Sequence, residues 1–233
     1  MKTVAVTGAS GAIGRAVMKG LADRYELRPM SRSINSTDLN DPQGLAEKFA
    51  GCDALIHLAW GYTRNEEEQG TGSLRNITMH QNALNAARQA GVKQAIMASS
   101  VHADFFYDWM GPGLLNTDRQ QRANGLYGGL KLLVEAIDQE LADPDLRIAD
   151  VRYGGVTDDG RPHPTDTWER RVWLSHPDLC AMYDAILSHP DPPVYAKFYA
   201  VSDNEHRVHD TVNPFGWEPK NSAETDIRAE LSP

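Results

Sequence analysis

Tyr127 and Lys131 stand four residues apart in "YGGLK", a spacing that puts both on one face of a helix. With a serine nearby, they could move a proton to or from an alcohol during hydride transfer. Oxidising an alcohol needs a base for the hydroxyl proton, and a free phenol with a pKa of ~10 is a poor base at neutral pH. A neighbouring ammonium and the positive charge of an oxidised nicotinamide both favour the phenolate. The lysine can also hydrogen-bond a ribose. The serine is Ser100, which ends the buried-strand pattern "KQAIMASS", with Ser99 as the alternative. Ligands gather at the carboxyl ends of parallel strands, so the three residues can converge there.

A second stretch, "TGASGAIG" at residues 7–14, follows an apolar run and places Gly8, Gly11 and Gly14 at every third residue. Such a turn lets backbone approach a pyrophosphate, and the helix that follows turns its free N–H groups and positive dipole end towards the anion. A plain strand-to-helix turn is the alternative. The spacing is G-x-x-G-x-x-G rather than G-x-G-x-x-G.

The elements that must position these residues alternate. "KTVAVTG", "YELRPMS", "DALIHLAW", "KQAIMASS", "LRIADVRYGG" and "PVYAKFYAVS" read as strands,. Helical patterns run from residue 12, from Ser73 to Ala90, from Tyr127 to Ala142 and through "SHPDLCAMYDAIL"; "DPQGLAEKFAG" reads as a short helix with Asp41 as its cap and Pro42 in its first turn,. This predicts an α/β fold: a Rossmann-type, doubly wound parallel sheet with a small C-terminal substrate cap. Residues 1–233 make one domain, with 156–192 and 203–233 as the cap.

The formal net charge of -9 argues against nucleic acid or an anionic membrane as partner. A small molecule is the expected partner. Cys52 and Cys180 show neither metal nor disulfide spacing,. The N-terminal apolar run is too short for a signal peptide, and no stretch approaches the ~18 apolar residues of a membrane helix. A cytoplasmic location is expected. His206 and His209 lack the spacing of a metal site, His57 reads as a core histidine, and no metal is expected,.

These motifs together resemble the extended short-chain dehydrogenase/reductase family, also called the NAD-dependent epimerase/dehydratase family. The family's T-G-x-x-G-x-x-G matches Thr7 to Gly14, its active-site tyrosine and lysine match Tyr127 and Lys131, its serine matches Ser100, and its mid-helix asparagine looks like Asn76. "ASSVHA", "RRVWLSHPDL", "YAVSDNEH" and "GWEPKNSAE" look like segments of the uronate dehydrogenases and of the haloarchaeal NAD-dependent glucose-6-phosphate dehydrogenases. The resemblance implies catalysis by Ser100, Tyr127 and Lys131. It implies a dinucleotide held by Gly8, Ser10, Gly11, Ala12, Ile13, Gly14, Ser31, Arg32, Asp38, Leu39, Leu58, Ala59, Asn76, Tyr127 and Lys131. Substrate contacts fall to Trp60, Ser100, His102 and Arg170, with Arg161 and Arg171 as further candidates.

The chain also departs from the family. Ser31 stands where an acidic residue usually meets the adenosine ribose, and Arg32 follows it. Serine removes a charge that repels a 2′-phosphate and arginine can pair with one, so NADP is expected, with NAD as the alternative. Asp38 and Leu39 follow so soon that the third strand must be trimmed. Val101 replaces a polar residue beside the serine. "DFFYDWMGPGLL" and Trp60 add aromatic bulk that either shapes a flatter, more apolar pocket or simply packs. The expected activity is hydride transfer between a nicotinamide cofactor and a sugar, sugar acid or sugar phosphate. The alternatives are an NADPH-dependent carbonyl or aldehyde reductase, a nucleotide-sugar epimerase or dehydratase, and a non-catalytic dinucleotide sensor. Family members often dimerise through two helices. Leu133, Ile137 and Leu141 are spaced for that role, or for facing the sheet.

Overall fold

The computed structural model describes residues 1–61 and 74–231. Within them, β1 (Thr3–Thr7), β2 (Glu26–Met30), β3 (Ala54–His57), β4 (Gln94–Ser100), β5 (Arg147–Tyr153) and β6 (Tyr195–Ala200) form one sheet. Its order is β2-β1-β3-β4-β5-β6, and every neighbouring pair is parallel. Burial on both faces accounts for the unbroken apolar runs.

The helices are α1 (Ala12–Gly20), α2 (Arg32–Asn35), α3 (Leu45–Phe49), α4 (Arg75–Gln89), α5 (Gly125–Leu141), α6 (Thr167–Val172), α7 (His176–Ser188) and α8 (Ala223–Leu231). On one face, Val17 of α1, Leu21 just after it, and Leu179, Met182, Tyr183 and Ile186 of α7 pack with Val4, Val6, Ile96, Val151 and Phe198. On the other, α3 and α4 bring Leu45, Phe49, Leu84 and Ala87 onto Leu55, Met97 and Ile148, and α5 packs on β4 and β5. This is the doubly wound Rossmann-type architecture.

Several details differ from the sequence reading. Asp41 does not cap α3. Its Oδ1 accepts from Gln43 N at 3.0 Å in a turn of its own, and α3 starts only after Gly44, which has φ 72°. Pro42 therefore precedes the helix. The expected start of α4, Ser73, lies outside the described residues. Between Met30 and Ala54 the chain forms α2 and α3 and no strand, so β2 is the sheet edge. Within the 156–192 stretch, α7 lies in the helix layer beside α1. The chain before it runs along the carboxyl ends: Gly155 N donates to Val172 O at 2.8 Å, Leu174 N to Gly155 O at 2.9 Å, and Ser202 N to Trp173 O at 2.8 Å. Leu133 and Leu141 are exposed and Ile137 half-buried, so that stripe of α5 points away from the sheet. Among the described residues no helix is long and apolar enough to cross a membrane, and no group of three or more His, Cys, Asp or Glu is placed to hold a metal.

Candidate active site

The glycine turn is shaped by close approach. Gly8 has φ 69°, and a Cβ there would lie 2.7 Å from Ala59 N, against the chain leaving β3. A Cβ on Gly14 would lie 2.4 Å from Gly8 O, so only glycine lets α1 press onto the turn. Gly11 precedes α1 in extended conformation, no side chain caps that end, and no acidic residue lies in its first turn. Ala12 and Ile13, the first two helical residues, therefore present a helix start open to an anion.

The turn opens into a cleft of about 280 Å³. Gly8, Ser10 and Gly11 line it with Ser31, Arg32, Asp38 and Leu39 from beyond β2, Leu58, Ala59 and Trp60 from beyond β3, and Asn76 from α4. Of the residues expected to hold a dinucleotide, Ala12, Ile13 and Gly14 stand behind this lining and shape it. Ser31 caps α2, its Oγ accepting from Ile34 N at 3.1 Å. Asp38 accepts from Asn40 N at 3.0 Å and Asn40 Nδ2 at 2.9 Å. Those bonds, with Arg32 and Arg75 nearby, hold its carboxyl below the usual carboxylate range,. Asn76 is buried and clamps Gly61, accepting from its N at 2.8 Å and donating to its O at 2.7 Å. That clamp sets the path of the chain after Trp60.

Tyr127 and Lys131 of α5 do not line this cleft themselves but lie against Trp60, which does. Tyr127 is 40% exposed and Lys131 only 2%, so the phenol meets the open side and the ammonium sits beneath. Lys131 Nζ donates to Ala98 O at 2.6 Å. It lies 3.6 Å from the Trp60 ring centre and 5.7 Å from that of Tyr127. Burial pushes the Lys131 pKa down to about 7, against the opposing pull of Asp150, Glu135 and Asp138. Trp60 meets Tyr127 edge to face at 5.8 Å.

Ser100 ends β4, and its Oγ accepts from His102 N at 3.2 Å. Ser99 points to the other face, where its hydroxyl donates to buried Glu135. Asn124 Nδ2 bonds His102 Nδ1 at 2.8 Å. That leaves the proton of the neutral ring on Nε2. α5 can approach the His102 turn because residue 128 is glycine: a Cβ there would lie 2.0 Å from His102 O.

Outward from the serine, rings follow one another: Tyr127 to His102 at 5.9 Å, His102 to Tyr107 at 6.2 Å, and Tyr107 to Trp168 at 5.4 Å. Arg170, expected at the substrate, lies half-buried on α6, and its charge acts on Asp166. Arg171 covers the Trp168 ring at 4.5 Å.

Beneath α5 lies a buried polar layer. Arg152 donates to Glu135 at 2.7 and 2.6 Å and to Tyr199 Oη at 3.0 Å. His80 meets Asp138 at 2.6 Å, Tyr195 Oη donates to Asp150 at 2.7 Å, and Thr7 bonds His57 at 2.9 Å. Burial raises the Asp138 pKa to about 7 and pushes His57 well down. His57 is the core histidine that the sequence indicates, whereas Arg75, Asn124 and the rest of this layer escaped the sequence reading. A signal existed for Asn124, a cap-type residue just before a helix. Arg75 enters the cleft from an element far along the chain.

The sheet, its glycine turn and the cleft between them define a Rossmann-type dehydrogenase of the extended short-chain kind, an enzyme that works with a nicotinamide dinucleotide. The chain belongs to the NAD dependent epimerase/dehydratase family, whose model matches residues 4–167. It is 28% identical to the NAD-dependent glucose-6-phosphate dehydrogenase of Haloferax volcanii, over 97% of both chains. It is 30% identical to the uronate dehydrogenase of Agrobacterium fabrum, over 96% of this chain and 86% of that protein. The uronate dehydrogenase of Agrobacterium tumefaciens, solved as a point variant complexed with NAD, superposes with a TM-score of 0.81 at 28% identity, over 100% of this chain and 91% of that one.

Proposed function

We propose that this dehydrogenase oxidises a sugar, sugar acid or sugar phosphate with NADP as its preferred cofactor, and that Tyr127, Lys131 and Ser100 carry the proton chemistry. The observation that carries the reading is that Trp60, which lines the cleft, lies against both Tyr127 and Lys131, and that Lys131 bonds Ala98 O near the end of β4. The turn suits a dinucleotide: Gly8 and Gly14 let the backbone pack closely where α1 begins, and the start of α1 is uncapped, open to a pyrophosphate. When bound, the nicotinamide accepts or gives the hydride. Tyr127 takes the hydroxyl proton from its exposed side. Lys131, close below, favours the phenolate and can reach a ribose hydroxyl. Ser100 Oγ already accepts from His102 N, so its own proton is available to the reacting oxygen. His102 offers Nε2–H to a further hydroxyl.

Cofactor preference follows from the other end of the cleft. Ser31 brings no carboxylate there, and Arg32 and Arg75 line it together with Asp38; two cations against one carboxylate suit a 2′-phosphate. Comparing NADPH and NADH dissociation constants tests this, and equal or tighter NADH binding overturns it. Pure protein is then mixed with either dinucleotide and a panel of aldoses, uronates and sugar phosphates, following the absorbance of reduced nicotinamide. Turnover is expected with one sugar class. Tyr127→Phe should lower kcat/KM by about 10²–10⁴-fold with the melting temperature unchanged. The ring series from Tyr127 to Trp168 supports a second reading, a carbonyl reductase of non-sugar substrates, which silence across the sugar panel would favour.

A further inference from the structure

α6 is short, but its place is fixed. Asp166 caps it, accepting from Trp168 N at 2.8 Å and Glu169 N at 3.1 Å. Its other end is tied to the carboxyl end of β5 through Gly155 N and Val172 O. Tyr153, the last residue of β5, lies in register with Ser100, and Gly155 follows two residues later. Glu169 Oε2 sits only 3.3 Å from where a Cβ on Gly155 would be. A carboxylate therefore lies over the strand end beside the candidate serine. Its neighbour Trp168 closes the ring series that runs through Tyr107 and His102 to Tyr127.

Arg171 covers Trp168. Burial lowers the His102 pKa against the opposing pull of Glu169, and raises that of Tyr107, with Glu169 and Asp166 adding to it. Val101, next to Ser100, is buried and apolar.

We infer that Glu169 is a specificity-determining residue that turns the substrate site away from anions, so that the substrate is an uncharged, hydroxylated molecule that lies against the His102–Tyr107–Trp168 rings. This rests on the sugar reading above and narrows it to neutral aldoses. A carboxylate or phosphate placed over the end of β5 would meet the Glu169 carboxylate there, which lowers the affinity for that class selectively.

The test compares kcat/KM for glucose, glucuronate and glucose 6-phosphate in the wild-type protein and in Glu169→Gln, at low and high salt. Glucose is expected to lead in the wild type. Glu169→Gln should raise the ratio of either anion to glucose by about tenfold at low salt, and by less at high salt. A wild-type preference for an anion, or a ratio that Glu169→Gln leaves unchanged, overturns the inference. Silence with all three sugars defeats the sugar reading, and Glu169 is then measured on its own: benzaldehyde against 4-carboxybenzaldehyde, reduced with NADPH. The same tenfold relief of the anionic partner is expected there; an unchanged ratio, or turnover of neither aldehyde, overturns it.

Discussion

Beneath α1 and α7 the sheet presents Val4, Val6, Ile96, Val151 and Phe198, and the helices answer with Val17, Leu179, Met182 and Ile186. Beneath α5 the carboxyl half of the same sheet presents Ser99, Asp150, Arg152 and Tyr195, and the helix answers with Glu135 and Asp138. The first face is held by burial of apolar area, which is large and has no preferred direction. The second, which α3 and α4 also cover with apolar side chains, has under α5 a set of short directional bonds among groups that are costly to bury alone. Tyr127 and Lys131 ride on the second face. A helix fixed by bonds to particular atoms has one rotation and one height, and a reacting phenol needs both.

Breaking each face should therefore fail differently. The largest effect is expected from Arg152→Met, which leaves Glu135 buried without its bidentate partner. Stability should fall by about 4 kcal/mol, read by urea unfolding. Adding Glu135→Leu should return most of the loss, which a merely apolar contact would not allow. Leu179→Ala, fully buried on the apolar face, should cost about 3 kcal/mol through its cavity, with kcat of the folded enzyme little changed. A smaller effect sharpens the comparison by pH. Burial pushes the His209 pKa down to about 3, with Arg152 and His102 adding to it, and among the described residues neither of its ring nitrogens has a hydrogen-bond partner. The unfolded chain takes up this proton below pH 6.5 and the native one does not until about 3. Stability is therefore fully present above 6.5 and is lost as the pH falls through that window. At pH 5 the loss from this group is about 2 kcal/mol, and His209→Leu should remove it from a series of thermal melts.

Strands were readable because burial on both faces leaves unbroken apolar runs, and the Tyr127–Lys131 spacing carried its meaning wherever the helix was placed. What stayed hidden depends on direction or distance. Glu169 and Arg170 are neighbours on one short helix, and only the folded chain shows which charge is felt by His102. Arg75 reaches the cleft beside Arg32 from an element more than forty residues further on. The pairing of His80 with Asp138 joins two helices, and either residue read alone looks like a solvated polar group. Asp41 before Pro42 resembles a helix cap in sequence, yet its carboxylate is used within its own turn.

The strand order also bears on how the chain is made. β3 pairs with β1, β4 with β3, β5 with β4 and β6 with β5. β3 is laid on the free edge of β1, from β4 onward each strand leaving the ribosome is laid beside the one that preceded it, and no paired strands have to separate to admit a later one. Until β6 arrives, the growing molecule carries an open edge that moves outward from β1 to β5. Such an edge can pair with another chain. A nascent chain stalled before Tyr195 would expose the edge of β5 in this way, the edge that β6 covers once it pairs.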